Sequence, residues 1–362
     1  YDYSISGLDS LLGHELSVEE FFTTCWETAP RVFHSRYASS PALPWRDVLG
    51  MLRAAQAPAR PTEVEVLVFK DSCPTSEYPS CHAAYLDGCS IVVNHIDKIY
   101  EPVHRMCVAL RQHLPHIFTN MYLTPPNEQA VAPHADDRDV LVLQVSGSKS
   151  WKVYANPPVA LPLPSEQVGK SEEYPVPQTT LDETPLLSPI LRAGDVLYMP
   201  RGFVHEALTS DDASLHLTFA LPTHDWSWAS VVSDALRAAG RTPEEVSKFG
   251  KDAVARKDCG ERGNWFWRHS VPPSLVCREL ASLREDALKK LAVIASEVGL
   301  HEASSITVAF EAKLAHHNAR QDVVAPSSIG SSLSPCSYVR RLTAEEKASL
   351  AEMKQQQGMM AR

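Results

Sequence analysis

The sequence predicts a mainly β domain with flanking helices, built as a barrel or jelly roll and followed by a helical region. Three observations predict it. Between Thr119 and Leu221, short apolar segments recur between turn residues, the pattern of a barrel or jelly roll. The preceding 118 residues alternate amphipathic helices with strands, and beyond Trp228 the chain turns Ala-, Leu-, Lys- and Glu-rich with helical spacing. At 362 residues the chain is long enough for two or three compact units. Apolar residues make up 44% and no apolar run approaches the 18 or so residues of a helical membrane span. Acidic residues exceed basic ones by 44 to 34, so bulk attraction to nucleic acid is not expected. The chain starts at Tyr1, without an initiator Met or a signal-type segment, and targeting is not legible there.

Taken in order, Ser17 begins a helix as N-cap with Glu20 in the box position, and Phe21, Phe22 and Trp26 follow at helical spacing. Trp45 to Ala55 reads as a second helix, closed by a Pro-rich stretch. Val64, Val66 and Val68 alternate as a strand, Gly88 to Asn94 gives another, and Val103 to His113 a helix. Within the barrel region the expected strands are Thr119–Leu123, Val140–Val145, Ser150–Val153, Asp195–Met199 and Ser214–Leu221. Ser146-Gly147 is a tight turn between two of them, and the Pro-studded stretch from Asn156 to Pro189 reads as a long surface loop over one mouth. Helices are then expected at Ser230–Ala239, Pro243–Ala255, Leu280–Leu291 and Ser305–His317, with a linker over 322–337 and a terminal helix at Thr343–Gln357. The eight cysteines include no CxxC pair; Cys73, Cys81 and Cys89 beside His82 are too widely spaced for a closed zinc site. Unpaired thiols in a reducing compartment are the expected state.

Chemistry concentrates in Pro133-His134-Ala135-Asp136 and Gly202-Phe203-Val204-His205. If the first lies in a strand, His134 and Asp136 point to one face, and a second His from a neighbouring strand completes a two-His, one-carboxylate set. Such a set leaves part of an octahedron open, as in non-heme Fe(II) oxygenases. The bare HxD is weak on its own. The apolar strand and Pro-x-Gly bend before His205 match the C-terminal histidine strand of a cupin-type double-stranded β-helix. Lys149, in Ser148-Lys149-Ser150-Trp151, either follows a hairpin turn toward solvent or faces the barrel interior, where its charge demands an anion.

Asn120-Met121-Tyr122-Leu123-Thr124-Pro125-Pro126, then Pro133-His134-Ala135-Asp136-Asp137, then Leu143-Gln144 through Gly147, Lys149, Trp151 and Tyr154 resemble the JmjC-type 2-oxoglutarate oxygenases of the ribosomal-oxygenase branch. Phe21-Phe22, Trp26, Pro30, Gly88-Cys89-Ser90 and Leu215-His216-Leu217-Thr218 support the match, which spans roughly 15 to 320. The resemblance implies a JmjC double-stranded β-helix, with helices and flanking strands of that domain over 1–118, its core over 119–224, and a helical dimerisation region over 225–320. Residues 321–362 would be a linker and terminal helix, too short for a complete winged helix. It also implies Fe(II) held by His134, Asp136 and His205, O₂ as co-substrate, and 2-oxoglutarate bound by Lys149 with Tyr122 and Thr218 as helpers. Asn120 would lie between co-substrate and substrate.

Departures from the family pattern occur at three places: Ala135 replaces an aromatic, Arg138-Asp139 a hydrophobic–Glu pair, and Ala220 a serine. All are expected near the substrate entrance, with Asn120 and Gln144 as amide groups for the target side chain. The implied activity is hydroxylation of a His, or secondarily an Arg, side chain of a ribosomal protein by a homodimeric nuclear or nucleolar enzyme. A cytoplasmic site is also open, secretion is not expected, and neither is strong nucleic-acid binding. Histone methyl-lysine demethylation and a catalytically silent binding module are the alternatives.

Overall fold

A computed structural model describes residues 7–34, 45–248 and 267–322. The strands are β1 (Arg31–His34), β2 (Glu65–Lys70), β3 (Cys73–Pro74), β4 (Ser90–Asn94), β5 (Phe118–Thr124), β6 (Asp139–Ser146), β7 (Ser148–Val153), β8 (Ile190–Arg192), β9 (Asp195–Met199), β10 (His205–Leu208) and β11 (Ser214–Leu221). The helices are α1 (Leu8–Leu11), α2 (Val18–Thr24), α3 (Trp45–Gln56), α4 (Cys81–Leu86), α5 (Glu101–Leu110), α6 (Gln178–Leu181), α7 (Trp228–Ala238), α8 (Pro243–Ser247), α9 (Ala281–Glu297) and α10 (Ser304–Gln321). Ser17 caps α2 in the reciprocal box, its hydroxyl accepting from the Glu20 N–H while the Glu20 carboxylate accepts from the Ser17 N–H.

Two antiparallel sheets form the β-helix. The large one runs β1-β9-β6-β11-β5-β4-β2-β3 and the small one β10-β7-β8. Strand β6 shows why the sequence reads as continuously apolar. Val140 and Val142 face the small sheet, packing with Trp151, Val153, Leu191, Leu197, Met199 and Phe203. The intervening Leu141, Leu143 and Val145 join the helix-covered core on the other side. Both faces are buried, so the period-2 signal disappears.

The short strands β1, β3 and β8 are not anticipated by the sequence pattern. Each spans four residues or fewer, below the length at which alternation is readable. The stretch from Asn156 to Pro189 differs from the expected surface loop: it contains α6 and buries Leu161, Leu163 and Val168. It behaves as a packed strap. Arg268 clasps Glu166 of this strap through two hydrogen bonds of 2.6 and 2.9 Å.

A buried ionic network ties the sheet to both flanking regions. The Arg201 side chain, 0% exposed, pairs with Glu27 at 3.3 Å and donates to the Arg268 and Pro162 carbonyls. Glu27 accepts from the Ser270 N–H at 2.8 Å. Asp139 accepts from the Tyr198 hydroxyl and the Arg201 N–H at 2.8 and 3.0 Å. The expected extension of the Pro243 helix to Ala255, the expected linker past Asp322 and the expected Thr343–Gln357 helix fall on residues outside the described ones. Among the described residues, no helix is long and apolar enough to cross a membrane, and Cys25, Cys73, Cys81, Cys89, Cys107 and Cys277 are free thiols.

Candidate active site

His134, Asp136 and His205 converge at the mouth between the two sheets. The segment bearing His134 is not a full strand. A single bridge joins His134 to His205, each N–H donating to the other's carbonyl at 3.1 and 2.9 Å. Asp136 is fixed separately, its carbonyl accepting from the Gly202 N–H at 2.9 Å. His134 Nε2 lies 3.8 Å from Asp136 Oδ1 and His205 Nε2 3.8 Å from Asp136 Oδ2. The two rings are tilted by 59° with centroids 4.4 Å apart, so their in-plane lone pairs can meet at one point. Their Nδ1 atoms face backbone carbonyls, His134 that of Ala132 at 2.7 Å and His205 that of Phe203 at 3.0 Å. That contact places the proton on Nδ1 and leaves each Nε2 as a donor atom toward the site. Burial, with the Lys170 and His205 charges, lowers the His134 pKa to about 3, and burial also lowers that of His205. Against burial, Lys170, His134 and His205 hold Asp136 below the usual carboxylate range. Two neutral imidazoles and one ionised carboxylate are the protonation states a divalent metal requires.

Lys149 settles inward. It shares a β7 face with Trp151 and Val153, and all three are buried. The residue is 2% exposed, and its ammonium donates to the Thr124 hydroxyl at 3.0 Å. Burial alone lowers its pKa to about 7. A hydroxyl does not answer a buried charge, whereas a carboxylate does. Lys149, Tyr122, Thr218 and the three metal-type residues line one cavity.

His216, unassigned by sequence reasoning, stacks on Tyr122 with centroids 4.7 Å apart and an 8° interplanar angle. Trp151 meets it edge-on at 5.7 Å. Its signal was the Leu215-His216-Leu217-Thr218 alternation, which puts His216 on the Thr218 face. Burial and the Lys149 charge push the His216 pKa well down, so its ring is neutral. Asn120 stands on β5 two residues before Tyr122, and its Oδ1 accepts from the His95 N–H at 3.1 Å.

The strap reaches the metal-type residues directly. Val168 accepts from the Ala135 N–H at 2.9 Å, and Lys170 donates to Asp136 Oδ1 at 2.6 Å. A Cβ on Gly169, whose φ is +79°, would sit 2.5 Å from the Pro133 carbonyl oxygen and 2.9 Å from His134 Cα. Only glycine fits that approach. No sequence pattern marked Lys170.

Several expected positions are corrected. Ala135 offers no surface to a substrate: it is 1% exposed and packs with Tyr154, Val204 and Val168 of the strap. Asp139 belongs to the buried Arg201–Glu27 network, and Ala220 is 0% exposed between Val140 and Phe118 in the large sheet. Gln144 is also 0% exposed, and its amide donates to the Ser146 carbonyl and the Ser214 hydroxyl, so it offers no amide donor to a substrate.

A second set, His116, Asp225 and His317, also places one ligand-type atom from each residue within 4.8 Å of the others. Here the two rings stack at 3.6 Å and 7°. Each imidazole lone pair lies in its own ring plane, and two parallel planes 3.6 Å apart share no point for a metal.

The fold and this site define a double-stranded β-helix with a facial two-His, one-carboxylate centre and a buried cation. Residues 92–229 match the JmjC domain. It is 32% identical over 216 residues to the bifunctional lysine-specific demethylase and histidyl-hydroxylase NO66 of Drosophila grimshawi, covering 57% of this chain and 29% of that protein. The NO66 of Drosophila yakuba is 38% identical over 146 residues, 40% of this chain and 20% of that one. The matched region thus spans less than a third of these relatives. Among solved structures, Escherichia coli ycfD matches with TM-score 0.47 and 16% identity over 83% of this chain and 71% of that one. The ribosomal oxygenase YcfD in complex with cobalt and 2-oxoglutarate matches with TM-score 0.41 and 16% identity, over 76% and 67%.

Proposed function

We propose that this chain is an Fe(II)- and 2-oxoglutarate-dependent protein hydroxylase that oxidises a histidyl side chain of a ribosomal protein, with an arginyl side chain as the secondary target. One observation carries the reading: the His134–Asp136–His205 face and the buried Lys149 ammonium line a single cavity. His134, Asp136 and His205 would hold Fe(II), and Lys149 would pair with the distal carboxylate of 2-oxoglutarate, helped by Tyr122 and Thr218. Iron, when bound, supplies the redox chemistry that turns 2-oxoglutarate and O₂ into succinate and CO₂ while one oxygen atom enters a substrate C–H bond. The chain's own residues bind, orient and exclude water. Thr124 steers the Lys149 ammonium, the carbonyls of Ala132 and Phe203 set the two imidazole tautomers, and Trp151, Met199, Val140 and Val142 give the cavity dry walls.

The ribosomal substrate and a nuclear or nucleolar location follow from the motif resemblance, and the NO66 relatives support histidyl hydroxylation. Residues 119–224 are then the catalytic core and 225–320 a dimerisation region, where Leu288, Val293 and Val308 present apolar side chains to solvent. The test is mass spectrometry of candidate ribosomal proteins after incubation with enzyme, iron, 2-oxoglutarate and ascorbate. A peptide gaining one oxygen atom on a His side chain is the expected result. Formaldehyde release from methylated histone peptides, with no oxygenated ribosomal peptide, would replace hydroxylation by demethylation.

A further inference from the structure

With a divalent metal and 2-oxoglutarate in place the charges around the metal-type residues would not cancel, and the excess would sit on Lys170, beside Asp136 at the solvent edge. Inside the cavity, a divalent metal and the Lys149 ammonium balance Asp136 and the two carboxylates of 2-oxoglutarate. Outside it, Arg138 donates to Asp137 at 2.7 Å, which answers its charge. Glu206, itself on the cavity wall, accepts from Lys152 at 2.9 Å, which answers its charge, and from the Tyr154 hydroxyl at 3.0 Å. Lys170 remains. Its ammonium is 2.6 Å from Asp136 Oδ1 and its side chain keeps 38% of its exposure, so it borders both the metal face and solvent. The backbone behind it cannot drift: Gly169 is wedged against Pro133 and His134, and Val168 is bonded to Ala135. The Lys170 charge also acts on Tyr122, a wall of the cavity.

We infer that Lys170 is a specificity-determining residue that admits a neutral side chain, an imidazole, and turns away the cationic guanidinium of Arg or the methylated ammonium of Lys. The inference rests on the hydroxylase reading and sharpens its substrate class. A cation whose reactive carbon reached the metal would be brought beside the Lys170 ammonium at the solvent edge of the site, and like charges so placed oppose binding. A neutral imidazole meets no such penalty. It can also accept a hydrogen bond from Lys170 through its unprotonated nitrogen.

The test is retention of peptides on the full chain loaded with Mn(II) and 2-oxoglutarate, which needs no turnover. Three pools of short peptides share randomised flanks and differ only in the central residue: His, Arg or trimethyl-Lys. Wild type should retain the His pool about tenfold over either cationic pool. Lys170→Gln should bring the pools to within about twofold, and Lys170→Arg should keep the preference. A merely structural role for Lys170 would change all three pools together. Wild type that retains the cationic pools equally or better, that retains none of the pools, or that keeps its ratio in Lys170→Gln overturns the inference. The underlying oxygenase reading fails separately, if iron-loaded wild type consumes no 2-oxoglutarate.

Discussion

Two clusters in this molecule have the same composition, two histidines and one aspartate, and the same spread of candidate ligand atoms. His134, Asp136 and His205 are held by strand ends and turns, with each His Nδ1 against a carbonyl and the rings tilted by 59°. His116, Asp225 and His317 come from a strand approach, a turn and a helix, and the rings lie flat on each other at 7°. His116 Nδ1 and His317 Nε2 are buried without hydrogen-bond partners. Residue type and distance therefore do not define a metal centre. Ring orientation, fixed by what the second nitrogen touches, does.

The strongest way to break that comparison is to delete one histidine from each cluster. His134→Ala should weaken Co(II) binding by more than about 100-fold, beyond the loss that outer partners of a ligand cause, and should abolish 2-oxoglutarate consumption. His317→Ala should leave both unchanged, with one Co(II) bound per chain by calorimetry. Two Co(II) per wild-type chain, reduced to one by His317→Ala, would show that the stacked pair opens to bind metal.

Next in size is Lys149. Lys149→Met removes the cation from a buried charge pair, a loss of about 2–5 kcal/mol, so the KM for 2-oxoglutarate should rise between about 30-fold and several thousandfold. Co(II) affinity should barely move. Because burial sets the Lys149 pKa at about 7, its charged form dominates below that pH and declines above it. Affinity for 2-oxoglutarate should accordingly be flat below about pH 7 and fall up to tenfold per unit above it. An equal rise in metal and 2-oxoglutarate requirements in Lys149→Met would make Lys149 structural.

The sequence displayed one cluster and concealed the other for a physical reason. His134 and Asp136 are two residues apart, and His205 follows a strand and bend of recognisable pattern. Lys149 could be placed between a hairpin turn and the Ser150–Val153 strand but not on a face, because the neighbouring serines are compatible with either side. His116 and His317 are joined by the packing of α10, across two hundred residues with no local pattern. Lys170 was hidden differently: its segment is irregular, and its position follows from Gly169, whose role is visible only once His134 is beside it. Ala135 was misjudged because the strap that covers it could not be foreseen. The large sheet was largely legible, since β5, β6, β9 and β11 are long enough for their apolar character to show.

Gly169→Ala tests the strap's contribution to the first cluster. The backbone at φ +79° disfavours a side chain, and the Pro133 carbonyl blocks it, so a cost of about 1–3 kcal/mol is expected. Protease cleavage between Asn156 and Pro189 should become faster, and Co(II) affinity should fall as His134 loses its support. Unaltered cleavage and affinity would mean the strap adapts without disturbing the ligands.

The smallest expected effect belongs to the stacked pair and concerns stability. Burial, reinforced by the His317 charge, lowers the His116 pKa to about 3 from its ordinary 6.5, while Asp225 opposes the shift and His224 and His95 add to it. The unfolded chain then binds a proton near pH 6.5 that the folded chain refuses until about pH 3. Stability is full above the unfolded value and is lost as pH falls below it, by about 1.4 kcal/mol per pH unit for one such group. His116 has φ 49°, a left-handed backbone that asparagine accepts, so His116→Asn removes the titration without adding strain. Urea unfolding between pH 7 and 5 should show a stability slope reduced by about one proton relative to wild type. The slope should be insensitive to added Co(II), since the stacked rings offer it no common point. A slope that persists in His116→Asn would assign the proton to His317, whose pKa burial also lowers, and a slope that Co(II) abolishes would erase the distinction between the two clusters.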